Sequence, residues 1–93
     1  MNIKTEQGET GGAFIYTGDN GNKAKMTFSK AGDSMIIIDH TEVDGELRGQ
    51  GIGEILVEHM VNFAREKGVK VMPLCPFTRS VFEKRKDIHD VLK

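Results

Sequence analysis

Apolar and polar positions divide the chain into two regimes. Ala13 to Thr17 is β-rich, and Lys23 to Ser29 alternates cleanly. Ala24, Met26 and Phe28 fall on one face there, with Lys25, Thr27 and Ser29 on the other. Between the two runs, Asp19-Asn20-Gly21-Asn22 supplies the positive φ angles of a tight hairpin turn. Gly32-Asp33 marks a second turn. Met35-Ile36-Ile37-Ile38-Asp39-His40 is apolar on both faces, which predicts a central strand. The three strands read as an antiparallel meander. Residues 1–12 are polar and glycine-containing and read as a weak strand or a frayed arm.

Beyond residue 51 the period changes. Ile52, Ile55, Leu56, Met60, Phe63 and Ala64 recur at helical spacing, and Glu54, Glu58, Asn62, Arg65 and Glu66 take the outer face. Gly68 is a C-terminal stop, giving a helix of about four turns. Val69 to Leu74 is a short β-branched run interrupted by Pro73. Proline cannot donate to a ladder, so this strand is an edge or pairs incompletely. Pro76 opens a last helix with Phe77, Val81 and Phe82 on its apolar face, and Asp87 to Leu92 reads as one more turn. A strand, a helix and a second strand form a crossover unit, so strands 35–40 and 69–74 are expected to be parallel. The segment after His40 and the residue Cys75 then gather at one sheet edge, where ligands bind in open α/β sheets.

Composition narrows the classes. Ninety-three residues suffice for a single domain, 1–93, with one sheet and one or two helices. Hydrophobic residues at 38% beside 29% charged describe a globular chain. Thirteen basic residues against fourteen acidic ones give a net charge of −1, which argues against a nucleic-acid binder. Cys75 is the one cysteine, so an internal disulfide and a multi-cysteine zinc site are excluded. That lone cysteine and an N-terminal stretch without an apolar core point to a cytoplasmic setting. The longest purely apolar run, Met35 to Ile38, is too short to cross a membrane. No two histidines stand at metal-binding helical spacing, so no metal site is expected.

Four of the eleven glycines lie within residues 45–53. Arg48-Gly49-Gln50-Gly51-Ile52-Gly53 leads into a helix N-terminus, whose unpaired N–H groups and partial positive charge suit a phosphate or pyrophosphate. A Walker A loop would end in Gly-Lys-Ser/Thr, which is absent after Gly53. A dinucleotide fingerprint would place a third glycine where Glu54 stands. Arg/Gln-x-x-Gly-x-Gly/Ala fits fully. The plainer reading, a glycine-rich connection and nothing else, needs only a two-residue turn.

At these residues the sequence resembles the GCN5-related N-acetyltransferase superfamily. The resemblance runs over about residues 13–86 and is most specific over 42–84. His40-Thr41-Glu42-Val43 before the loop and Cys75-Pro76-Phe77 after the last strand resemble its short, acetyl-CoA-binding branch. The resemblance implies a minimal α/β (α+β) fold, in which an antiparallel meander and a strand–helix–strand crossover give two splayed parallel strands, followed by a C-terminal helix. It implies that the amides of Arg48, Gly49, Gln50, Gly51, Ile52 and Gly53 hold the pyrophosphate of acetyl-CoA. Pantetheine would lie in the gap between the splayed strands, beside Val43 and Phe77. Transfer of acetyl to an amine, on a small molecule or a protein, would follow.

Two departures bear on that activity. The superfamily's pattern after the last strand, Asn-x-x-Ala-x-x-x-Tyr-Glu-Lys, reads here Cys75, Thr78, Phe82, Glu83, Lys84. Phe82 has no hydroxyl and cannot protonate a departing thiolate. The helical pair that forms part of the acceptor wall in the superfamily has no counterpart before the meander. Cys75 then falls near the expected thioester, as a nucleophile with its pKa lowered by the last helix or as a small buried hydrophobe. His40 is a base for Cys75 or for an incoming amine, or a residue that merely ends a strand. Glu42 is a weaker base candidate. His59 is a core-edge side chain and His89 solvent-facing. Phe77 and Phe82 are core residues, either of which also suits contact with pantetheine. Lys84-Arg85-Lys86 is a solvated charge run or a contact for the coenzyme's phosphates.

Overall fold

A computed structural model describes residues 2–93. Five strands form one sheet in the order of the chain: β1 (Ile3–Gln7), β2 (Gly11–Thr17), β3 (Lys23–Ala31), β4 (Met35–Val43) and β5 (Lys70–Pro73). The first three pairings are antiparallel, and β4 pairs with β5 in parallel. Helix α1 (Ile52–Lys67) makes the crossover, and α2 (Pro76–Lys84) follows β5. Short 3-10 turns occupy Gly45–Leu47 and Lys86–Val91.

The alternation read in β3 is the alternation observed. Ala24, Met26 and Phe28 are buried, and Lys25 is exposed. They join Phe14, Ile36, Ile38 and Val71 on the face that α1 covers. Leu56, Val57, Met60, Val61 and Ala64 answer from the helix. Burying a Val, Leu or Met side chain contributes about 1.5–3 kcal/mol, so this seam of α1 dominates the fold's apolar stabilisation.

The structure decides or corrects three expectations. Of the two readings of the N-terminal segment it takes the strand: Ile3 to Gln7 is paired along its length with Gly12 to Tyr16. Ile3 packs against the core, and Thr5 Oγ1 lies 2.8 Å from His59 Nε2 on α1. Strand β4 is interior to the sheet, between β3 and β5, as its apolar run predicted, but its two faces are not equally buried. Ile36 and Ile38 are buried, but Met35 and Ile37 are only half-buried, because the core gathers on one side of the sheet. His89 is half-buried, with Nε2 against the carbonyl of Phe82.

The parallel pair runs only from Met35 opposite Lys70 to Ile38 opposite Pro73. Leu74 and Cys75 then both donate their N–H groups to the carbonyl of Ile38, at 3.1 and 3.0 Å. The chain turns away into α2 while β4 continues to Val43. The two strands therefore splay, and the last four residues of β4, His40 to Val43, are paired on one side only. On its own outer side β5 has a single bridge, Val71 with Leu92, which is the incomplete pairing expected of a strand carrying Pro73. No helix among the described residues is long and apolar enough to cross a membrane.

Candidate functional site

The glycine loop is held by two apolar anchors. Leu47 and Ile52 are both buried, so the residues between them bow outward from the core. Gly49 and Gly51 have φ of +78° and +74°, conformations that cost other residues about 1–2 kcal/mol. Nothing stands within 4 Å of where a Cβ would project from either. The first helical bond of α1 to the loop is from the N–H of Ile55 to the carbonyl of Gly51, at 3.1 Å. The N–H groups of Gly49 through Glu54 have no backbone acceptor among the described residues. A run of unpaired donors at a helix start is an anion cradle.

Gly53 has a different reason to be glycine. A Cβ there would lie 2.6 Å from Cζ of Phe77, so the ring of α2 closes directly over the first turn of α1. Phe77 is 38% exposed, whereas Phe82 is 2% exposed. Of the two phenylalanines expected in the core, only Phe82 lies there. Phe77 is wall, because it sits one residue into α2, at the mouth of the splay.

A cavity of about 350 Å³ opens at this place. Thr41 and Val43 of β4, the loop from Leu47 to Gly51, the first turn of α1 and Phe77 line it. Gln50 is absent from the wall: its side chain folds back to donate to the carbonyl of Glu46 at 2.9 Å. Arg48 is exposed and its Nε lies 3.5 Å from the carbonyl of Val43. Glu54 stands in the first turn, where the helix dipole favours a carboxylate, and shares the cavity wall. The donor set and the open glycine backbones fit a phosphate-bearing coenzyme whose stem enters the splay.

The pairing of His40 with Cys75 is not formed. Register shifts by one residue between Phe28 opposite Ile38 and Thr27 opposite His40. Asp39 is the extra residue of a bulge, and a one-residue slip exchanges the two faces of a strand. His40 and Glu42 therefore face away from the core and contact each other at 3.2 Å in the open. Thr41 and Val43 take the inner face, opposite Met26 and Ala24. Cys75 is 3% exposed, and its thiol donates to Thr41 Oγ1 at 3.4 Å. Thr41 thus stands in the cavity wall with the thiol behind it. Alternation continued from Ile38 points Thr41 outward, and only the bulge at Asp39 turns it inward.

Burial pushes the Cys75 thiol up, but the Thr41 hydroxyl, the amide and hydroxyl of Thr78 and the amide of Phe77, all placed to donate to a charged sulfur, outweigh it. The net direction is down from the ordinary thiol value. Arg85 is committed elsewhere, to Glu58 and Asp87 at the far end of α2. Among the described residues no group of three or more His, Cys, Asp or Glu side chains is arranged to hold a metal.

A sheet opened between two parallel strands, with a glycine loop and helix start at the opening, defines an α/β protein with a cleft at the edge where its parallel strands part. The chain belongs to the GCN5-related N-acetyltransferase family, whose model matches residues 13–91. It is similar to the solution structure of a "GCN5-like putative N-acetyltransferase" from Staphylococcus aureus. The two are 34% identical with a TM-score of 0.74, over 99% of this chain and 89% of that one. No curated protein matches the chain.

Proposed function

We propose that the protein binds acetyl-CoA and transfers its acetyl group to an amine. The observation that carries this reading is the coincidence of unpaired amides at Gly49 to Glu54 with the opening between β4 and β5. The open amides from Gly49 onward hold the pyrophosphate, the amide of Arg48 being already donated to the carbonyl of Gly45 at 3.2 Å, and the free edge of β4 with Val43 and Phe77 holds the pantetheine. Cys75 supplies a covalent route. Its sulfur attacks the thioester carbonyl, the new S–C bond forms as the bond to the coenzyme's sulfur breaks, and the released thiolate takes a proton from solvent. An amine then displaces Cys75 from the acetyl group. His40, with Glu42 beside it, is proposed as the base for the incoming amine and not for Cys75.

Two observations favour a second reading, in which the chain holds the coenzyme without turnover. The thiol is buried behind Thr41, and Phe82 offers no acidic hydroxyl. Intact-mass measurement after mixing with acetyl-CoA separates the readings. The covalent route predicts a gain of one acetyl group on the wild type and none on Cys75→Ala. Saturable binding with no acetylated protein, and no thiol release with any amine, supports the holding module.

A further inference from the structure

We propose that Thr41 and Thr78 form a two-hydroxyl cradle for the Cys75 thiolate, with Thr78 a positioning residue whose hydroxyl finds its partner only when the sulfur is charged. Thr78 is completely buried, and its Oγ1 has no hydrogen-bond partner among the described residues. An orphaned buried hydroxyl has given up its hydrogen bonds to water with nothing in return, so native structures rarely keep one without a use. Thr78 is the third residue of α2, and Cys75 is the N-cap of that helix. An N-cap side chain faces the N–H groups of the second and third helical residues, here Phe77 and Thr78. The neutral thiol makes no cap hydrogen bond to them. A thiolate is a far better acceptor, and the amides and hydroxyls around it all favour it.

Formation of the cradle is a simple proton loss. The S–H proton leaves to solvent, Thr41 Oγ1 turns from accepting to donating, and Thr78 Oγ1 donates for the first time. No other charge is needed. Arg79 of α2 is turned toward the carbonyls of Pro73 and Leu74. Asp39, His40 and Glu42 of β4 lie on the opposite face of the sheet. Glu54 of α1 lines the loop cavity, and Lys70 of β5 is bound to the carbonyl of Asp90. The cradle deepens the thiol route proposed above but concerns the sulfur alone, so it is tested without coenzyme.

The test is the rate of alkylation by iodoacetamide as a function of pH, with intact mass confirming one label on Cys75. The wild-type midpoint is expected below that of an unstructured peptide with the same cysteine. Thr78→Val, nearly the same shape, should raise the midpoint and slow labelling at neutral pH about 3- to 10-fold. Thr78→Ser should restore it, and Thr41→Val should move it the same way as Thr78→Val. A structural role alone would not be rescued through the midpoint by serine. A wild-type midpoint equal to the peptide's overturns the cradle, and so does a midpoint that neither valine variant moves. Thermal unfolding checks each variant, and if Thr78→Val does not fold, Thr41→Val and the wild-type comparison decide. Coenzyme binding would survive a negative result, because alkylation does not report on it.

Discussion

Thr41 is where the cavity and the thiol meet, and its place depends on one extra residue, Asp39. Simple alternation from Ile36 and Ile38 would carry the inner face on to His40 and Glu42. Instead the bulge hands it to Thr41 and Val43. The motif residues could be read from the sequence, but their facing rests on a shift of the alternation that a single apolar residue beyond it, Val43, is too little to establish. Gly51 and Gly53 looked alike in sequence and differ in cause. Gly51 is needed for its left-handed backbone, Gly53 for the Phe77 ring. Gly51→Ala should therefore cost about 1–2 kcal/mol by denaturant titration, whatever the context. Gly53→Ala should cost about 1 kcal/mol, and that cost should vanish in a Phe77→Ala background, as measured by a double-mutant cycle.

At the level of elements, the meander, the crossover and the parallel pair were legible because each is written in local periodicity and turn chemistry. The hairpin at Gly21 and the helix stop at Gly68 stand where the sequence put them. Strand β1 was legible only as an alternative to a frayed arm. Its residues Lys4, Glu6 and Gln7 carry little β signal, and it is held by tertiary contacts, from Ile3 to the core and from Thr5 to His59. Thr5→Val removes one partner of that last bond and should destabilise the fold by about 1 kcal/mol, seen as earlier amide exchange in β1. Leu56→Ala empties a fully buried position in α1. It should cost about 2–5 kcal/mol, measured as a lower denaturant midpoint with unchanged slope.

For the molecule as a whole, exposed ion pairs tie the C-terminal turn to α1. Arg65 holds Asp90 at 2.8 Å, and Arg85 bridges Glu58 and Asp87. Hydrogen bonds from Arg65 and Arg85 hold the Asp90 and Asp87 carboxyls below their usual range. A carboxyl lowered in the native state adds stability above its unfolded pKa and loses it as pH falls through the native value. The melting temperature should therefore fall on acidification below the ordinary carboxylate range, and less steeply in Asp90→Asn. High salt should flatten the same curve, because these pairs are open to solvent.

The account's central claim is that the open amides of the glycine loop, beside the splayed strands, are a coenzyme site. Calorimetric titration of acetyl-CoA into the wild type and into Gly51→Leu, with the fold of both checked by circular dichroism, tests it most directly. The account predicts saturable binding by the wild type and its loss in the folded variant. A wild type without affinity at millimolar acetyl-CoA, or a variant that binds as well as the wild type, would contradict it.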